Sequence, residues 1–190
     1  MVSTCTLIRA LVASAYLGLS LCAGIAHADD SEIAVSVDKR DNVFYIDTAF
    51  DVAVPVRIAW GVLTDFDHMT EILHNLTSSK ITERSGKTLR VKQEGIARFG
   101  FFTYAFKSDR EVQLEPMKRI SVRQISGNTK HYTSEMNVSP NGSGTHFRYH
   151  AEMALDSGIG RFFAGPFIEH EIAEQFASMT LEMQKRHQAQ

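Results

Sequence analysis

From Val43 to Val54 apolar and polar residues alternate, with Phe44, Ile46, Thr48, Phe50, Val52 and Val54 on one side and Asp47, Ala49 and Asp51 on the other. A period of two marks a strand with one buried face. The alternation stops at Pro55, a residue tolerated at the first position of a helix because its missing N–H has no partner there in any case. Val56, Ala59, Trp60 and Leu63 then recur at helical spacing, and Thr64-Asp65-Phe66-Asp67-His68 offers capping side chains for a second short helix carrying Met69, Ile72 and Leu73. Two short helices meeting at a tight corner are expected directly after this strand.

From Leu76 to Leu155 strand follows strand, broken by turn chemistry at Ser85-Gly86-Lys87, Glu115-Pro116-Met117-Lys118, Gly127-Asn128 and Pro140-Asn141-Gly142-Ser143-Gly144. This spacing predicts an antiparallel meander. One face collects Leu89, Val91, Gln93, Gly95 and Ala97; another collects Phe102, Tyr104, Phe106, Ser108, Arg110, Val112 and Leu114; a third collects Phe147, Tyr149, Ala151, Met153 and Leu155. The segment Asp156-Ser157-Gly158-Ile159-Gly160 breaks the pattern. From about Pro166 the period becomes helical, with Ile168, Ile172, Phe176, Met179 and Met183 in one stripe. Glu169, Glu171 and Glu174, then Lys185 and Arg186, are assigned to the opposite face, acids early and bases late as the helix dipole prefers. A helix of about 20 residues is about 30 Å long and can lie across a whole curved sheet.

The ends of the chain change the picture of where the protein works. Met1 to Ala28 carries a lone basic Arg9, an apolar stretch from Ala10 to Ile25 and the small-residue pattern Ala26-His27-Ala28, which reads as a cleavable secretory signal. A retained membrane anchor needs about 20 predominantly apolar residues, and this run is shorter. A lipoprotein signal built on Cys22 would place the bulky Leu21 where a small residue is needed. The expectation is a bacterial protein in the periplasm or the medium, with a loose polar lead over residues 29–42, one domain over residues 43–187 and no stable membrane span after processing. Both cysteines, Cys5 and Cys22, fall in the signal, so the mature chain forms no disulfide and depends on a packed core. The full chain of 190 residues has 20 basic and 22 acidic residues and a formal charge of −2; loss of Arg9 makes it −3. That balance does not favour nucleic acid or an anionic membrane surface.

The order strand, two short helices, about six further strands and a long last helix resembles the helix-grip fold of the START and polyketide-cyclase (SRPBCC, birch-allergen-like) superfamily. The entry Ala53-Val54-Pro55-Val56-Arg57-Ile58-Ala59-Trp60-Gly61-Val62-Leu63-Thr64-Asp65-Phe66 is similar to that superfamily's opening, with Val54 where a small residue is usual. Arg90-Val91-Lys92-Gln93-Glu94-Gly95, Arg110-Glu111-Val112 and Glu174-Gln175-Phe176 with Met179 and Met183 are similar to its coenzyme Q-binding branch. The resemblance spans about Val43 to Arg186. It implies an α+β fold, a curved antiparallel sheet of about seven strands around the long helix, and a cavity between them for an apolar or amphipathic small molecule. It does not imply a reaction, because fold and function separate freely here.

The candidate ligand-binding residues are Gln93, Phe102, Tyr104, Phe106, Arg110, Phe147, Tyr149, Phe176, Met179 and Met183. For the aromatic residues and the two methionines, plain core packing is the competing role. Arg110 and Gln93 fall in register with inward-facing apolar residues, and a buried polar group without a partner costs about 1–3 kcal/mol. A ligand headgroup is one partner for Arg110; Glu94, Glu111 or Glu152 in an ion pair is another. The sequence shows no Gly-x-Ser-x-Gly elbow, no thiol in the mature chain and no phosphate loop, and no cofactor is expected. His170-Glu171-Ile172-Ala173-Glu174 starts like a zinc-protease helix but has Glu where the second His is required. His146 and His150 fall on the polar face of a strand. The functional expectation is a non-catalytic carrier of a lipid or quinone-like molecule. A cyclase or aromatase using Tyr104, Tyr149 or Arg110, and a protein-interaction module with a filled core, are the alternatives.

Overall fold

The computed structural model describes residues 33–100, 102–155 and 164–190; the signal segment, both cysteines and the break at residues 156–160 lie outside them. Among the described residues the chain runs β1 (Val35–Arg40), β2 (Val43–Val52), α1 (Val56–Leu63), a 3-10 turn (Phe66–His68), α2 (Met69–Ile72), β3 (Leu76–Ser85), β4 (Thr88–Phe99), β5 (Phe102–Glu115), β6 (Arg119–Gly127), β7 (Thr129–Asn141), β8 (Gly144–Leu155) and α3 (Ala164–Gln188). The strands form one antiparallel sheet in the order β1-β2-β8-β7-β6-β5-β4-β3. This is the α+β helix-grip architecture expected, with eight strands instead of about seven.

The additional strand is β1, which occupies part of the lead expected to be loose. It turns through Asp41, whose φ of 56° suits a short Asx residue, and pairs from Arg40↔Val43 to Val35↔Thr48. Thr48 Oγ1 donates to the Ala34 carbonyl at 2.7 Å and fixes its far end. The sequence obscures this strand because Asp38, Lys39 and Arg40 are charged. Such residues suit a sheet edge, where they discourage pairing with another chain.

The alternation read in β2 is realised. Phe44, Ile46, Thr48 and Val52 are buried while Tyr45, Asp47, Ala49 and Asp51 lie on the other face or more exposed. Pro55 serves as the N-cap of α1, one position earlier than expected, and its carbonyl accepts from Ile58 and Ala59. The expected capping role of Thr64 to His68 is not what these side chains do. Thr64 Oγ1 donates back to Trp60 O at 2.8 Å, and Asp67 accepts from the Ile81 N–H at 2.8 Å. Asp65 holds His68 Nδ1 at 2.7 Å and Arg186 at 2.8 Å, which ties the α1–α2 corner to the far end of α3.

The last helix is longer than expected, 25 residues and so about 37 Å. Its buried stripe is Ala164, Ile168, Ile172, Phe176, Met179 and Met183, at spacings of three and four. Leu89, Val91, Val112, Ile120, Val138 and Phe147 are among the sheet residues packed into the same core.

Candidate ligand-binding site

The facing pairs of β4 and β5 change in size along the sheet. Leu89 faces Val112, Val91 faces Arg110, Gln93 faces Ser108, Gly95 faces Phe106 and Ala97 faces Tyr104. Branched side chains fill one end; at the other Ala97 borders open space, and the Phe106 ring lies over Gly95. Gly95 is required where it stands: a Cβ there would lie 2.2 Å from the Asn75 carbonyl oxygen and 2.5 Å from the Phe106 ring.

A second feature opens the same end. Strands β6 and β7 pair only from Arg119↔Asn137 to Arg123↔Thr133, after which β6 follows β5 to Ser108↔Gly127 and β7 follows β8 to Thr129↔Leu155. The gap is spanned by side chains. Gln124 Nε2 donates to Thr129 O at 2.7 Å, and Thr129 Oγ1 donates to Gln124 Oε1. Asn128 Oδ1 accepts from the Lys107 N–H at 2.5 Å and anchors the hairpin to β5.

Between this end of the sheet and the first turns of α3 lies a cavity of about 180 Å³. Ala97, Tyr104, Phe106, Met153, Phe167 and Ile172 supply much of its apolar wall, and Asn75, Ser108, Arg110, Gln124 and Glu171 bring polar groups to it. Three of the sequence-predicted residues, Tyr104, Phe106 and Arg110, are on the wall. Gln93 stands behind it, buried and bonded to Arg110.

The other predicted residues lie elsewhere. Phe147 is fully buried and stacks on Phe50 with ring centroids 4.8 Å apart; Phe176 meets Phe50 at 5.3 Å and Tyr149 at 5.0 Å. Met179 and Met183 are buried further along the same stripe. None of these lines the cavity, because only the N-terminal turns of α3 reach it. Tyr149 is one layer removed, its hydroxyl 2.9 Å from that of the lining residue Tyr132. Phe102 opens β5, and its side chain lies outside the described residues.

The carboxylates expected to neutralise Arg110 are engaged on the outer face. Glu94 pairs with Lys107 at 3.1 Å, Glu111 with Arg123 at 3.0 Å, and Glu152 lies 3.8 Å from His150. Arg110 instead donates to Gln93 Oε1 and sits over the Tyr132 ring, 5.7 Å from its centroid. Gln93 Nε2 passes the bond on to Ser79 Oγ at 3.0 Å, and Ser79 Oγ donates to Phe66 O at 2.5 Å. The guanidinium is thus held in place by neutral groups, with no carboxylate within 4 Å among the described residues.

Two further polar groups were not singled out in the sequence. Ser108 Oγ is buried on the cavity wall without a hydrogen-bond partner among the described residues. Glu171, expected on the outer face of α3, is half-buried at the cavity, and Asn75 Nδ2 donates to its Oε2 at 2.9 Å. Burial pushes the Glu171 carboxyl above its ordinary value; the bond from Asn75 and a backbone bond from Arg98 oppose this, and the Glu174 charge adds to it. The clue was its spacing, three residues after Ile168, which puts it at the edge of the buried stripe. Burial also drives the Tyr149 hydroxyl well above its usual range. Among the described residues no cluster of three or more His, Cys, Asp or Glu is arranged to hold a metal ion. His146 and His150 face outward against Asp51 and Asp47 at 2.9 and 2.7 Å, and His170 lies 3.5 Å from Glu174.

A curved sheet gripping a long helix, with an apolar hollow carrying a few inward polar groups, defines a class of small-molecule-binding folds. The chain belongs to the polyketide cyclase / dehydrase and lipid transport family, whose sequence model matches residues 44–187. No curated protein sequence matches it. Among solved structures it is similar to the Zhui aromatase/cyclase from a Streptomyces species, at 15% identity over 76% of this chain and 95% of that one with a TM-score of 0.64. It is also similar to a STAR-related lipid transfer protein from Xanthomonas axonopodis (7% identity, 80% and 99% covered, TM-score 0.64). A START superfamily protein from Mycobacterium smegmatis gives 13% identity, 76% and 97% covered, and a TM-score of 0.57. At such identities the likeness speaks for the fold alone. Among the described residues no helix is long and apolar enough to cross a membrane.

Proposed function

We propose that this protein is an exported carrier or sensor that holds an apolar or amphipathic small molecule, a lipid or quinone-like compound, and does not transform it. The observation that carries this reading is the unfilled cavity of about 180 Å³. A hollow of roughly 150 Å³ lined by apolar side chains takes up benzene, so one ring or the head of a longer molecule fits, and a tail would extend past the rim. Tyr104, Phe106 and Arg110, backed by Gln93, are the proposed contacts. Export rests on the pattern at Met1 to Ala28, and the quinone class rests on the resemblance to the coenzyme Q-binding branch.

Native mass spectrometry of the protein isolated from the periplasm tests both parts. The expected species begins at Asp29 and carries a bound apolar molecule that a delipidated sample regains from a lipid extract. A chain retaining residues 1–28, or an empty protein that takes up no apolar probe, overturns the corresponding part. A second reading is favoured by one observation: a half-buried carboxyl, Glu171, with raised proton affinity inside an apolar site is suited to acid catalysis of water loss. Turnover of a polyketide mimic that disappears on replacing Glu171, Tyr104 or Arg110 would move the assignment to a cyclase or dehydratase.

A further inference from the structure

Arg110 and Glu171, which line the cavity, have opposite sign; the third charged lining residue, Lys107, is paired with Glu94. Gln93, which receives the Arg110 guanidinium, is paired with Ser108 across the β4–β5 ladder. That guanidinium therefore leans back toward the level of Ser108, whose buried Oγ lacks a partner among the described residues. Glu171 is bonded to Asn75, whose carbonyl oxygen packs against Gly95 at the next inward pair, Gly95↔Phe106. Glu171 also accepts a backbone bond from Arg98, further along β4 than Gly95, so the carboxyl and the guanidinium stand at separate levels of the strand. Neither charge has an ion-pair partner within 4 Å among the described residues, and Phe106, Tyr104 and Ile172 line the same cavity.

A wholly apolar guest would leave the guanidinium, the Ser108 hydroxyl and the Glu171 carboxyl desolvated with their hydrogen-bonding capacity unused. We propose that the cavity recognises a single-ring molecule polar at both ends, with an oxyanion or carbonyl oxygen at Arg110 and Ser108 and a hydroxyl or amine donor at Glu171. A volume of about 180 Å³ leaves room for one six-membered ring. This inference rests on the reading of the cavity as a ligand site and narrows the chemistry of what enters it.

Isothermal titration of the delipidated full-length mature protein with 4-hydroxybenzoate, benzoate, phenol and toluene separates the two ends. The expected result is that 4-hydroxybenzoate binds about tenfold or more tightly than benzoate and than phenol, each end contributing one charge-assisted hydrogen bond. Arg110→Met should remove the advantage conferred by the carboxylate and weaken benzoate more than phenol, and Glu171→Gln should reduce the advantage conferred by the hydroxyl. The wild-type comparison stands without either variant if one fails to fold. Equal affinity for all four probes overturns the two-ended ligand while leaving an apolar site in place. Failure of every probe, toluene included, overturns this inference and the carrier reading together.

Discussion

At one end of the sheet Phe50 stacks on Phe147 at 4.8 Å and Phe176 closes against both Phe50 and Tyr149. At the other, Gly95 and Ala97 face Phe106 and Tyr104, the β6–β7 ladder has parted, and about 180 Å³ stays unfilled. Both ends lie under one helix, the packed one drawn from β2 and β8 and the hollow one bordered by β4 and β5. The difference is in what stands opposite each aromatic ring: at the packed end another large side chain, at the hollow end a glycine or an alanine. Stability is therefore concentrated at the first end, and room for a ligand at the second.

The largest effect that follows is on folding. Phe147→Ala removes a ring with no exposed surface and should lower unfolding free energy by about 3–5 kcal/mol in urea denaturation. Tyr104→Ala, at the hollow end, should cost about 1 kcal/mol, because its ring already faces space on one side. Equal losses would mean that the two ends are equally packed and would erase the distinction.

Gly95→Ala comes next. The new methyl meets the Asn75 backbone oxygen, which cannot swing aside as a side-chain tip can, so a loss of about 1–3 kcal/mol is expected. Asn75 also holds Glu171, and the same variant should weaken binding of a probe that uses this carboxyl more than binding of toluene. Ala97→Leu acts within the hollow and has a smaller effect on folding. It should change stability by less than about 1 kcal/mol while reducing uptake of any single-ring probe at least about tenfold, as read by titration. Unchanged uptake would place the ligand elsewhere.

How much of this contrast could be read from the sequence follows from what periodicity encodes. A period of two states which face of a strand is buried, and so Phe147, Tyr149, Tyr104 and Phe106 were all placed inward together. It does not state what faces them, and Phe147 and Tyr104 therefore look alike until β8 is set against β2 and β5 against β4. Gly95 and Ala97 were visible as small residues on an inward face, but only the register shows that Ala97 borders the hollow while the Phe106 ring packs over Gly95. Strand β1 was masked by its charges. Glu171 was masked by its type: an acid early in a helix was assigned to solvent, although its spacing from Ile168 and Ile172 set it beside the buried stripe. The Arg110–Gln93 pair was legible as two inward polar residues, and that each is the other's partner required the register.

The smallest effect distinguishes the two sides of the sheet by the sign of their pH dependence. On the outer face, hydrogen bonds from Arg90 Nε and Nη2, both 2.9 Å long, hold the Asp109 carboxyl below its usual range, with burial opposing and the Lys92 charge assisting. Its proton affinity is lower folded than unfolded, so the unfolded chain binds more protons between the two values; stability from this group is present above the unfolded pKa and is lost as pH falls through the folded one. At the cavity, burial gives Glu171 the opposite shift. The folded chain then binds the extra proton, and stability is lost as pH rises through the raised value. Urea midpoints should rise with pH up to the ordinary carboxylate range and then fall slightly as pH passes above it. Arg90→Met should make the acidic limb shallower, with Asp51, Asp65 and Glu182 still contributing to it. Glu171→Gln should lessen the decline above it, to which the raised His68 also contributes, while leaving the acidic limb intact. A decline that persists unchanged in Glu171→Gln would mean that this carboxyl is as well solvated as those on the outer face, and that the hollow end is wet instead of apolar.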